Sequence, residues 1–177
     1  MKSTKLLLIF ISILTLVSCK KDDGGGEDSF LLSVENLIGS YDHTFFESNK
    51  VINGVFQGFP VTVTTTTTAD TYDGEITFLE DGTFTTSGAF RKIITMTDGT
   101  NTTLTEVIRV LGESGSFTLD ANEQTITLSG FDSDNFDNGT YIFIVFNENE
   151  IRLMQEYREE TGDETTEYSV EIRFRRQ

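Results

Sequence analysis

Apolar and polar residues alternate along most of the chain after residue 30, and a period of two is typical of β-strands with one buried face. The segment 41–46 is an example, with Tyr41, His43 and Phe45 predicted on one face. Helical spacing is limited to a predicted turn within residues 30–38, for which Ser33 is a suitable N-cap. The pattern therefore predicts an all-β domain.

Turn residues divide this pattern into hairpins. Asp73-Gly74, Asp81-Gly82 and Asp98-Gly99 each have the Asp-Gly sequence that favours a two-residue hairpin loop. Gly88 falls inside a long strand and predicts a bulge or bend. Residues 50–59 are predicted to be a loop with some strand character that Pro60 closes, because proline cannot donate to a strand ladder.

Several hairpins also predict a register, because a correct register places residues of like chemistry opposite each other. A loop at Asp98-Gly99 predicts an apolar pair and an ion pair, while the later turns predict one apolar face and one ion pair. The predicted pairs are Ile93 with Leu104, Arg91 with Glu106, Leu119 with Ile126, Phe117 with Leu128, Tyr157 with Tyr168, Leu153 with Ile172, Ile151 with Phe174, and Arg158 with Glu167.

The number and order of these strands predict the architecture. About eight to ten strands joined by short hairpins form an antiparallel up-and-down meander, and a meander of this length protects its edges best by closing into a β-barrel. Residues 31–177 have no internal break in composition and match the usual size of one domain. The 15 Phe and 5 Tyr supply a core of aromatic side chains.

Residues 1–18 have a different pattern, that of a secretory leader. Lys2 and Lys5 precede an apolar run of eleven residues, 6–16, which is shorter than the roughly 20 that span a bilayer. The run ends in Leu-Val-Ser before Cys19, and this ending resembles the lipobox of bacterial lipoproteins. The resemblance implies removal of residues 1–18, acylation of Cys19 with two or three chains, and anchoring to outer-membrane lipid.

Residues 19–30 follow as a short acidic, glycine-rich segment. Lys21, Asp22 and Asp23 resemble the export signal that directs lipoproteins of Bacteroidetes-type bacteria to the outer face of the outer membrane. The same residues also suit a solvated, flexible tether, and the two interpretations are compatible. The expected location is the outer membrane, facing the cell exterior.

The domain itself resembles the lipocalin-like lipoproteins of Bacteroidetes-type bacteria. The resemblance rests on short motifs spread over residues 37–175: Leu37-Ile38-Gly39-Ser40-Tyr41, Ile76-Thr77-Phe78, Asp81-Gly82-Thr83-Phe84, Gly115-Ser116-Phe117 and Ile172-Arg173-Phe174-Arg175. It implies a small barrel whose cavity holds one apolar ligand. It also implies barrel closure by Gly39 and Tyr41, with Tyr41 in the place of the lipocalin tryptophan and covered by Arg173 or Arg175 through a cation–π contact.

Charge and residue counts narrow the function further. The net charge of −16 disfavours nucleic acid as a partner, and the single cysteine and single histidine leave no nucleophile–base pair for catalysis. We therefore predict a non-enzyme without cofactor or metal. Asp132, Asp134 and Asp137 precede Gly139 as in calcium loops, but the EF-hand spacing is missing and a plain polar loop is favoured.

Two functions stay open on this basis. One is a lipid-anchored binding module with a small apolar or amphipathic ligand in the barrel. The other is a structural or interaction lipoprotein with a filled barrel that contacts envelope proteins or glycans.

Overall fold

A computed structural model describes residues 30–132 and 136–177. This part of the chain contains one helical turn and nine antiparallel strands. They are α1 (Val34–Leu37), β1 (Gly39–Phe56), β2 (Phe59–Phe78), β3 (Thr83–Asp98), β4 (Asn101–Leu111), β5 (Ser114–Asp120), β6 (Thr125–Ser129), β7 (Gly139–Phe146), β8 (Glu150–Thr161) and β9 (Glu164–Arg176). The predicted helical turn is confirmed, and Ser33 caps it by accepting a hydrogen bond from the Asn36 amide at 3.2 Å.

The strands form one sheet whose hydrogen bonds run in a ring. The order is β1-β9-β8-β7-β6-β5-β3-β2, and β2 pairs with β1 again. Strand β4 lies outside this ring because both β4 and β5 pair with the same edge of β3. The predicted all-β meander is thus confirmed, and its ring of strands is consistent with a lipocalin-like barrel.

Most of the predicted registers agree with the structure. Every predicted pair between β5 and β6 and between β8 and β9 is observed. These hairpins were predictable because each has one apolar face, and a slip by one residue would turn that face to solvent.

The hairpin between β3 and β4 has a different register from the predicted one. Its turn is Gly99-Thr100, so that Ile93 lies opposite Glu106 rather than opposite Leu104. Strand β4 is largely exposed on both faces, so burial of its side chains did not select between the two registers. The Arg91–Glu106 ion pair nevertheless forms diagonally, at 3.1 Å.

Asp73-Gly74 does not form the predicted turn. Both residues lie inside β2, just after an irregularity between Asp70 and Asp73, and Gly74 pairs with Gly88 of β3. A Cβ at Gly74 would lie 2.8 Å from a side-chain carbon of Leu111, so this glycine permits close packing rather than a reversal. Gly88, for which a bulge or bend is predicted, has a φ of 91°, outside the range of a regular strand, while the register irregularity nearby lies on β2.

Residues 50–59 are not a loop. They end β1 and begin β2, and the hairpin turns at Gln57-Gly58 with φ values of 52° and 85°. Two successive positive φ angles are typical of a type I′ turn, which matches the twist of the flanking strands. Pro60 belongs to β2 and lies opposite Val55 near the strand end.

The alternation predicted for residues 41–46 breaks in the middle. The pairing of β1 with β9 shifts between His43 and Phe45, and as a result Phe46 rather than Phe45 is buried with Tyr41 and His43. A bulge of this kind moves the following side chains to the opposite face.

Five of the ring strands continue beyond the ring and, together with β4, form an open sheet, which we call the distal sheet. It has the order β8-β9-β1-β2-β3-β4 and comprises residues 155–161, 164–170, 47–56, 59–70, 91–98 and 101–111. At about 3.3 Å per residue, the 18 residues of β1 carry the chain about 55 Å from the opposite end of the ring to the tip of this sheet.

Candidate functional site

The end of the ring where β1 begins is closed by Tyr41 and Arg176. The Tyr41 hydroxyl donates to the Leu37 carbonyl at 2.8 Å, and the Arg176 guanidinium lies 4.9 Å from the centre of the tyrosine ring. Arg176 also donates to the Tyr41 hydroxyl at 2.5 Å and to the Asn36 carbonyl. Burial raises the pKa of Tyr41 to about 12, although the nearby Arg176 charge opposes the shift. This cluster of contacts joins α1, β1 and β9.

The structure therefore corrects the arginine assigned to this closure. Neither Arg173 nor Arg175 covers Tyr41: Arg173 lies over the Phe45 ring at 4.1 Å and Arg175 pairs with Asp42 at 3.0 Å. The strand alternation places Arg176, not its neighbour Arg175, on the side of Tyr41. Gly39 opens β1 with a φ of 135°, opposite Phe78.

Removal of the Arg176 guanidinium should destabilise this end. Arg176→Met is expected to lower the free energy of unfolding by about 1–3 kcal/mol, because buried carbonyl and hydroxyl acceptors lose a charged donor. Arg175→Met should lower the free energy of unfolding by less than about 1 kcal/mol, because the Arg175 guanidinium is largely exposed. Urea denaturation of the two variants measures the difference, and equal losses would contradict the assignment.

The ring interior contains the sole histidine, His43. It is 2% exposed and contacts the rings of Tyr72, Phe90, Phe136 and Phe174 at centroid distances of 4.8–5.6 Å. Nε2 is 3.1 Å from the Phe45 carbonyl, and Nδ1 has no hydrogen-bond partner among the described residues. Burial lowers the pKa of His43 to about 4, the Phe45 carbonyl opposes this shift, and the Lys92 charge adds to it.

The depressed pKa of His43 predicts a pH-dependent stability. Between pH 6.5 and about 4 the unfolded chain binds a proton that the folded chain does not, so stability falls as pH falls through this window. Below pH 4, the loss of folding stability caused by this residue reaches about 3 kcal/mol. His43→Phe should remove this part of the dependence. Urea titrations of both proteins from pH 7 to 4 provide the test, and parallel curves would contradict it.

Aromatic side chains occupy the interior around this histidine. Phe136 stacks on Phe90 at 5.4 Å and meets Phe131 at 5.2 Å, while Phe131 in turn contacts Phe84 at 4.5 Å. The buried Lys92 places its ammonium group 4.6 Å from the centre of the Phe46 ring. The described part of the interior is therefore a packed aromatic core.

The acidic loop between β6 and β7 contributes to this core through Asp137. Its carboxylate accepts a hydrogen bond from Tyr168, and its carbonyl accepts one from Tyr141 at 2.7 Å. Burial and the Asp137 carboxylate raise the pKa of Tyr168. Asp134 lies outside the described residues. Among the residues that the structure describes, no group of three or more His, Cys, Asp or Glu side chains is arranged to hold a metal ion.

The tip of the distal sheet exposes large apolar residues. Phe56 and Phe59 lie opposite each other beside the Gln57-Gly58 turn and are 67% and 71% exposed. The hairpin has no charged residue over the nineteen positions 51–69, in a chain of which 24% of the residues are charged. Exposed apolar side chains grouped in this way are typical of a contact surface.

A second exposed apolar group lies on β4. Leu104 and Ile108 are 63% and 71% exposed and share one face of the strand with Glu106. Arg91 of β3 lies on this face. Its guanidinium donates hydrogen bonds to the Asp70 carboxylate at 2.6 and 2.7 Å, and the Asp70 and Glu106 carboxylates raise the pKa of Arg91. Neither the exposed pair Phe56 and Phe59 nor the exposed pair Leu104 and Ile108 was predicted from the sequence. The uncharged stretch 51–69 was the available signal for the first.

The predicted lipidation and export residues, Cys19, Lys21, Asp22 and Asp23, lie outside the described residues, so acylation and export stay predictions. Within residues 30–132 and 136–177, no helix has the length and apolar character needed to cross a membrane.

Comparison with known proteins assigns no function to this chain, so a function is inferred from the geometry of its structure. No family model, curated protein or solved structure matches this chain.

Proposed function

We propose that this protein is a lipid-anchored interaction module of the outer membrane that uses its distal sheet to bind a partner outside the cell. The observation that supports this proposal is the contrast between the two halves of the fold. Aromatic rings fill the described ring interior, while the distal sheet exposes Phe56, Phe59, Leu104 and Ile108 to solvent. Binding through an outer surface suits this arrangement better than binding inside a cup.

The position of Phe30 agrees with a distal sheet that points away from the membrane. Phe30, the first described residue, packs against Phe146 at 5.1 Å and beneath Arg176, at the closed end of the ring. A tether that leads from Cys19 to Phe30 would hold the closed end nearest the membrane. The distal sheet then points outward, with its tip about 55 Å farther away.

The alternative is a lipocalin-like cup with a small apolar ligand. It needs space that the side chains of His43, Phe90, Phe131 and Phe136 occupy. It stays a prediction that lipid analysis of the purified protein can test.

Site-specific photo-crosslinking on intact cells tests the interaction proposal. Benzoylphenylalanine in place of Phe56 should give crosslinks to cell-surface or added extracellular material. The same group in place of Ile144, which is also exposed but lies on β7 of the ring, should give none. Equal crosslinking from both positions, or an equimolar lipid extracted from the purified protein, would overturn the proposal.

A further inference from the structure

The two edges of the distal sheet differ in how they are protected. At one edge, residues 156–161 of β8 pair only with β9 and include Glu156, Arg158, Glu159 and Glu160. Charged side chains at this density are a common protection against pairing with another strand. At the other edge, β4 pairs only with β3 among the described residues.

The β4 edge lacks this protection. Residues 101–108 contain a single charged residue, Glu106, and neither lysine nor proline, and their pairing with β3 has no bulge. The exposed Leu104 and Ile108 instead supply apolar surface at positions i and i+4 on one face. An edge with regular pairing, a single charge and exposed apolar side chains is a template for one more strand.

We propose that the β4 edge over residues 101–108 binds an extended segment of a partner protein by β-strand addition. The inference rests on the proposed function, since it names the class of partner that the distal sheet takes. A row of backbone N–H and C=O groups is matched by the backbone of another strand, and this match selects a polypeptide over a glycan or a lipid.

The side chains of the edge define the partner further. Apolar residues at alternate positions of the added strand would cover Leu104 and Ile108, and basic residues in the segment would suit the net negative charge of the chain. A second copy of this chain fits less well, because two molecules that each have a net charge of −16 repel each other.

The experiment uses the full-length protein in lipid nanodiscs and a seven-residue probe peptide. The probe has alternating valine and threonine with a lysine at each end and a fluorescent label, and its binding is followed by fluorescence anisotropy. We expect saturable binding together with slower amide hydrogen exchange in residues 101–108. A probe with the same side chains but N-methylated at each residue should not bind, because it lacks the donors that pair with the edge.

Two variants locate the binding. Leu104→Lys combined with Ile108→Lys places charges on the edge as on β8, and should weaken probe binding at least about tenfold. Ile142→Lys combined with Ile144→Lys adds the same two charges at exposed apolar residues on β7 of the ring, and should leave binding unchanged. Circular dichroism verifies that both variants are folded.

Four results would overturn the inference: no binding of the probe, equal binding of the N-methylated probe, equal loss of binding in both variants, or crosslinks between two copies of the chain from benzoylphenylalanine at position 104. The failure of this inference is distinct from the failure of the proposed function. If the probe does not bind while crosslinks from position 56 persist, the interaction module stands and the strand-addition site does not.

Discussion

Replacement of Cys19 by serine is expected to abolish acyl labelling and to release the protein from the membrane fraction. Only the thiol of this single cysteine can accept the lipid, and the apolar run before it is too short to span a bilayer. Growth with labelled palmitate, followed by membrane fractionation of both proteins, measures the effect. A serine variant that stays in the membrane, together with an unlabelled wild type, would show that the lipoprotein interpretation is wrong.

The export signal supplies a matched control for this experiment. Alanine in place of Lys21, Asp22 and Asp23 should leave acyl labelling unchanged but protect the protein from protease added to intact cells. Equal digestion of this variant and the wild type would remove the case for surface display, and the anchor would be unaffected.

Gly88→Ala is expected to cause the largest loss of stability, at least about 3 kcal/mol, because two effects add. The φ of 91° is unfavourable for a residue with a side chain, and a Cβ would lie 1.8 Å from the Asp73 carbonyl oxygen. Strands β2 and β3 would have to separate at the point where the ring and the distal sheet meet. Urea denaturation of the purified protein provides the measurement.

Gly99→Ala is the matched control for conformational strain. Gly99 also has a positive φ, 58°, but within the described part of the chain no heavy atom beyond its two chain neighbours lies within 4 Å of the position of its Cβ. The expected loss is about 1 kcal/mol, the ordinary cost of the left-handed conformation. A similar loss at both positions would mean that the contact with Asp73 is not the cause.

The sequence by itself determined the strands that have one buried face. In the hairpin of β8 and β9, Leu153 with Ile172 and Ile151 with Phe174 form one apolar face, so a single register satisfies burial. The hairpin between β2 and β3 was predictable for a related reason, since buried phenylalanines lie on both sides of Asp81-Gly82, although its loop is the four residues 79–82 rather than the two that Asp-Gly favours. In both hairpins, the local pattern and the tertiary structure favour the same arrangement.

Only the tertiary structure decided the features that depend on residues far apart in sequence. Asp73-Gly74 has the residues of a turn but lies within a strand, where the close approach of the Leu111 side chain favours a glycine. Arg176 rather than Arg175 covers Tyr41, because the pairing of β1 with β9 sets which face each arginine occupies. The protected edge on β8 and the unprotected edge on β4 likewise arise from strand order, since both β4 and β5 pair with β3 and leave β4 outside the ring. Periodicity along a chain reports which face of a strand is buried, but it does not report which strand lies at an edge.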